Sequence, residues 1–92
     1  MTKKRASYLY KFTGIIHKKY RRQDKGHPQH FYQLKVELAG SKLTKIFAFQ
    51  NKTKLTIWKS LETDTYIGKK YLFSCRNYQG SYYLVDWEEV NA

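Results

Sequence analysis

The eleven residues HKKYRRQDKGH, from His17 to His27, hold five Lys or Arg side chains, one Tyr and a single acid, Asp24. Lys18, Lys19, Arg21, Arg22 and Lys25 could neutralise phosphates, and a guanidinium can also stack on a planar ring. Tyr20, set among them, could carry a base. Aromatic platforms interleaved with cations are the means by which single strands of nucleic acid are held. A solvated hairpin tip is the plain alternative, and the tyrosine inside the cluster favours a grip on a polyanion. Other chemistries find less to work with. His17, His27, His30 and Cys75 do not fall into the close pairs that structural zinc uses. Asp24 and Glu37 are isolated, Ser41 and Ser74 have no evident base, and no glycine-rich phosphate loop is present. The sequence therefore predicts no catalytic residue, metal or cofactor. A basic ribonuclease-type toxin, able to act with few acid–base groups, is the enzymatic alternative.

Composition points the same way. Eighteen Lys and Arg against seven Asp and Glu give a formal charge of +11. Residues 1–60 hold 15 basic and two acidic side chains, whereas residues 61–92 hold three and five. Such asymmetry suggests one face that meets an anion. Nine Tyr, five Phe and two Trp are more aromatics than so small a core needs. Nucleic acid is the expected partner; an acidic protein, bound by an interaction adaptor, is the other reading. Ninety-two residues make one domain. No apolar run reaches 18 residues and no segment has signal-peptide form, so neither membrane nor secretion is expected. The lone Cys75 fits a reducing, cytoplasmic setting.

Residues 1–7 read as a basic, flexible arm, and residues 8–92 as the domain that must position these groups. YLYKFTGIIHKKY, residues 8–20, reads as a long strand whose Gly14 lets it bend between two sheets. The loop over residues 21–30 carries the only proline. Tyr32, Leu34, Val36 and Leu38 alternate with Phe31, Gln33, Lys35 and Glu37, which is the pattern of a strand with one wet face. In KLTKIFAFQ, Ile46 and Ala48 are assigned inward, because the opposite choice would bury Lys45. Phe47 and Phe49 then face outward beside that lysine. NKTKLTIWKSLET predicts a helix of two to three turns, with Leu55, Trp58 and Leu61 on one face and Asn51 or Thr53 as cap. KKYLFSCR, the turn NYQG and SYYLVDWEEV complete the chain as two strands. Five strands with one helix between the third and fourth is the order of an all-β OB-fold, a small Greek-key barrel that the helix plugs with Trp58.

FAFQNKTKLTIWKSL, a third strand ending in an aromatic and running into the helix, is similar to the single-stranded-DNA-binding and primosomal PriB-like branch of OB-folds. IGKKYLFSCR, opening the fourth strand after a glycine, adds to the likeness. The resemblance covers nearly the whole chain in pattern. It implies sequence-tolerant binding of single-stranded DNA, or of RNA, in a setting such as replication, with Phe49 as the stacking residue and Phe47 and Lys45 on its face. The chain departs from that branch in two respects: it ends at DWEEVNA without an acidic, aromatic-tipped tail, and its loop RNYQGS is short. The expected interface joins Lys18, Lys19, Tyr20, Arg21, Arg22 and Lys25 of the first loop to Phe31, Gln33, Lys35, Lys45, Phe47 and Phe49 of the sheet. Arg76 and Tyr78, next to the last turn, complete it. A homodimer built on an outer strand, the first, is expected to lengthen the groove.

Overall fold

The computed structural model describes residues 9–23, 25–26 and 29–90. The arm expected over residues 1–7, with Tyr8, Asp24 and His27, lies outside them. The elements are β1 (Tyr10–Arg22), β2 (Phe31–Glu37), β3 (Leu43–Ala48), α1 (Leu55–Ser60), β4 (Lys70–Tyr78) and β5 (Ser81–Glu89), with a 3-10 turn at Ala39–Ser41. The strands close into a barrel in the order β1-β2-β3-β5-β4, with β3 and β5 parallel and the other neighbours antiparallel. This is the expected all-β, OB-like architecture.

β1 makes the barrel close. It pairs with β4 over Tyr10–Ile15 and with β2 over Ile15–Arg22. Gly14 sits where the strand passes from one partner to the other. A Cβ there would lie 2.5 Å from Val36 Cγ1 and 3.0 Å from the Glu37 carbonyl oxygen, so β2 can approach only a residue without a side chain. A register shift between Ile16 and Lys18 then leaves His17 as an extra residue. Such a bulge reverses which side chains face out. Continued from buried Ile16, simple alternation would send Lys18, Tyr20 and Arg22 inward. After the bulge they pair instead with Lys35, Gln33 and Phe31 on the outer side of β2.

Inside, Ile16, Leu34, Val36, Ile46, Ala48, Phe73, Cys75 and Leu84 are fully buried. The inward assignment of Ile46 and Ala48 therefore holds. Burial in this apolar interior pushes the Cys75 thiol up to about 12. Ile57, Trp58, Leu61 and Tyr66 close one end, Trp58 packing against the Tyr32 ring at 5.1 Å.

The helix differs from the expectation in three ways. It is six residues long, its N-cap is Lys54 with no capping side chain, and Leu55 is 58% exposed while Ile57 takes the buried place. Thr53 is drawn away from capping because its hydroxyl donates to the Leu84 carbonyl oxygen at 2.7 Å, inside the barrel. The last hairpin turns on Gln79 and Gly80, both at positive φ, as a two-residue turn between twisted strands requires. Among the described residues no helix is long and apolar enough to cross a membrane.

Candidate nucleic-acid interface

The outer face of β1, β2, β3 and β5 is organised as rungs, because side chains paired across antiparallel strands share one side of the sheet. The first rung sets Arg22 opposite Phe31. Phe49, one residue beyond the end of β3, stacks on Phe31 with ring centres 4.8 Å apart and planes 11° apart. The second rung runs Tyr20, Gln33, Phe47, Tyr83 and Arg76 across five strands. The third sets Lys18, Lys35 and Lys45 side by side. Successive rungs are two residues apart, about 6.6 Å along the strand.

Four rings form a connected patch. Phe31 lies 6.3 Å from Phe47, and Tyr83 lies 5.9 Å from Phe47 and 5.7 Å from Phe49. Phe47, Phe49 and Tyr83 are half-buried, whereas Phe31 is only 8% exposed. Phe31 thus supports the Phe49 ring more than it presents its own, which qualifies its expected role as an outward contact. Tyr83 was not among the residues expected from the sequence. The doublet Tyr82–Tyr83 did require one ring in and one out, but only the register with β3 shows which is which.

Cations flank this patch. Arg22 places its guanidinium 5.4 Å over the Tyr20 ring, and its Nε donates to Gln33 Oε1 at 2.9 Å. Arg76 and Tyr78 join Phe49, Tyr83 and Lys52 around a concavity of about 470 Å³, and Tyr78 is 64% exposed. Lys25 is exposed in the first loop. Lys18, Lys35 and Lys45 have no acidic partner among the described residues; the ion pairs there are Lys19–Asp64, Lys54–Asp86 and Lys69–Glu89, and Glu37 hydrogen-bonds with His17. Three cations opposite one another repel in the free protein, and a bound anion would relieve them.

Two of the expected loop cations are engaged elsewhere. Lys19 pairs with inward-facing Leu34, and its ammonium donates to the carbonyl oxygens of Leu61 at 2.9 Å and Thr63 at 3.2 Å. It also meets Asp64 at 3.1 Å, and its side chain is 17% exposed. Lys19 thus ties β1 to the segment after α1. Arg21 remains exposed but contacts His30 Nδ1 at 3.3 Å. Arginine has only donors, so Nδ1 accepts, and the proton on Nε2 is aimed at the Tyr32 hydroxyl 3.2 Å away. The His30 ring stacks on Trp58 at 5.5 Å, which fixes the entrance to β2.

Among the described residues no three His, Cys, Asp or Glu side chains come together in a group that could hold a metal ion. What the face can do chemically is hold planar rings on rings and phosphates on ammonium groups. No protein-family model and no curated protein matches the chain.

Proposed function

We propose that the protein binds single-stranded nucleic acid, largely independently of sequence, on the outer face of β2, β3 and β5. The observation that carries this reading is the union of the Phe31–Phe47–Phe49–Tyr83 patch with the unpaired lysine rung Lys18–Lys35–Lys45. Rings alone would also suit an apolar protein partner, and lysines alone would suit any polyanion. Bases and phosphates together fit a single strand, whereas a duplex hides the faces of its bases in the stack. DNA is taken as the ligand over RNA on the strength of the resemblance to single-stranded-DNA-binding OB-folds.

Fluorescence anisotropy with labelled oligo-dT, oligo-rU and a matched duplex tests the proposal. With four to six phosphates neutralised, log K should fall against log salt with a slope of roughly −3 to −4. Duplex binding as tight as oligo-dT binding would overturn it. Cleavage of the oligonucleotide in the same samples would transfer the face to a nuclease.

A homodimer is part of the proposal, with β1 as the candidate edge. Beyond Ile16, whose backbone bonds to Gly68 and Lys69, the second side of that strand has no strand partner among the described residues. Lys18, Lys19, Arg21 and Arg22 crowd this edge, so self-association there should strengthen with salt. Sedimentation that finds only monomer in both low and high salt would remove it.

A further inference from the structure

Between the second and third rungs lies an open concavity of about 320 Å³, lined by Tyr20, Arg22, Gln33, Lys35 and Lys45, with Leu43 and Thr44 at its margin. Its side-chain chemistry is one-sided. Arg22, Lys35 and Lys45 are donors without acceptors. Gln33 would ordinarily offer both an acceptor and a donor. Here the Arg22 Nε–H, which can only donate, fixes the amide oxygen toward itself at 2.9 Å and leaves the NH₂ group to face a ligand. The Tyr20 hydroxyl can donate as well as accept; Thr44, paired with buried Val36, turns its side chain to the inner side of β3. Tyr20 lines the concavity with the Arg22 guanidinium over its ring, and Phe47 stands on the other side of Gln33 in the same rung.

We infer that this concavity is a base-reading subsite that selects bases presenting carbonyl oxygens over bases presenting amino groups. The inference rests on the single-strand reading above and adds a preference to it. On the edge that faces the major groove of a duplex, uracil and thymine present O4 and guanine presents O6 beside N7; turned that way, each meets this donor wall with acceptors. Cytosine and adenine would bring an exocyclic NH₂ against ammonium, guanidinium and amide N–H groups. A donor facing a donor loses its bond to water and gains no replacement.

Uracil and cytosine provide the cleanest comparison, because they share ring size and differ at the O4 or N4 position and the adjoining N3. Anisotropy titrations with oligo-dU and oligo-dC of equal length, at pH 7.5 and one salt concentration, should give tighter binding of oligo-dU by about five-fold. That is the low end of what a well-placed hydrogen-bonding pair discriminates, as befits an open site. Q33M removes the amide while keeping the length of the side chain, and should bring the ratio toward one with the salt slope unchanged. K45E places an acceptor in the wall and should shift the ratio toward oligo-dC while weakening both.

Equal affinities for oligo-dU and oligo-dC in the unmodified protein, with strong salt-dependent binding of each, would overturn the subsite and leave the single-strand proposal standing. A five-fold ratio that survives both substitutions would place the selectivity elsewhere and equally overturn it. Binding of neither oligonucleotide would overturn the single-strand proposal and the subsite together.

Discussion

Phe49→Ala tests whether the outer rings act as a platform or as a second core. In the structure Phe49 lies outside the barrel, nearly parallel to Phe31 at 4.8 Å and tilted against Tyr83 at 5.7 Å. Truncation removes a surface on which one base could stack, and such platforms contribute about 1–3 kcal/mol per base. Affinity for oligo-dT should therefore fall by roughly 5- to 150-fold. The salt slope should stay constant, because no phosphate contact is lost. Stability should also change, since Phe31 loses its cover. One stacked and one tilted pair, each contributing about 0.5–1.5 kcal/mol, suggest a loss of about 1–2 kcal/mol at this half-exposed site. For a domain of this size that lowers Tm by roughly 5–15 °C.

Ile46→Ala is the comparison, because Ile46 is fully buried in the adjoining part of β3. Its loss should cost about 2–5 kcal/mol through the cavity it leaves. The protein that remains folded should bind oligo-dT almost normally. Thermal melting and anisotropy on both variants separate the two roles. If Phe49→Ala melted as low as Ile46→Ala and still bound oligo-dT within two-fold of the unmodified protein, the rings would be structural and the platform argument would fail.

Four further outcomes follow from particular contacts. Lys35→Gln, at the centre of the lysine rung, should raise Tm slightly at low salt by relieving cross-strand repulsion, and should flatten the salt slope by about 0.7. Gly14→Ala should destabilise the barrel by about 1–3 kcal/mol in a denaturant titration, because Val36 and the β2 backbone must move away from the new methyl. Lys19→Met should cost about 1–2 kcal/mol by removing the donor to Leu61 and Thr63, with the salt slope of oligo-dT binding unchanged. Stability should also decline with alkali. Cys75 has its pKa raised by burial to about 12, against an ordinary value of 9.0, so the folded state holds a proton that the unfolded state gives up as pH passes 9. Its contribution is complete below that value and is lost toward pH 12; Tyr66, also raised by burial, acts in the same direction. Cys75→Ala should shorten the alkaline decline in Tm, whatever it costs at neutral pH.

Much of the barrel was legible because its strands obey period two. Tyr32, Leu34 and Val36 against Gln33 and Lys35 define two faces of β2, and the need to keep Lys45 wet sets the face of β3. Gly14 announced a bend that only the three-dimensional approach of Val36 explains. Three features were not legible, each for a physical reason. The bulge at His17 carries no special residue, yet it reverses the facing of Lys18, Tyr20 and Arg22. The fate of Lys19 depends on carbonyl groups more than 40 residues away. The helix start moved because Thr53 has a partner inside the barrel that no local rule could reveal. The lysine rung belongs to the same class: three lysines scattered at positions 18, 35 and 45 become neighbours only through strand register.

The distribution of unfavourable features across the molecule carries its own argument. The interior is filled by apolar side chains, and the acidic residues Asp64, Asp86 and Glu89 pair with lysines outside the rungs. Three like charges set directly opposite one another, next to the four-ring patch, lie together on the outer face of β1, β2, β3 and β5. A surface selected only for solubility would intersperse acids among Lys18, Lys35 and Lys45, since such pairs add to stability where like charges subtract. Leaving that rung uncompensated lowers the stability of the free protein, and the same repulsion is relieved when phosphates settle on it. Binding energy and folding energy are therefore linked at this face: a ligand that binds only the folded barrel stabilises it in proportion to the logarithm of its concentration. The bulge at His17 is what makes this linkage available. Without it, Lys18 would point with Ile16 into the barrel and Tyr20 would leave the rung that also holds Gln33 and Phe47.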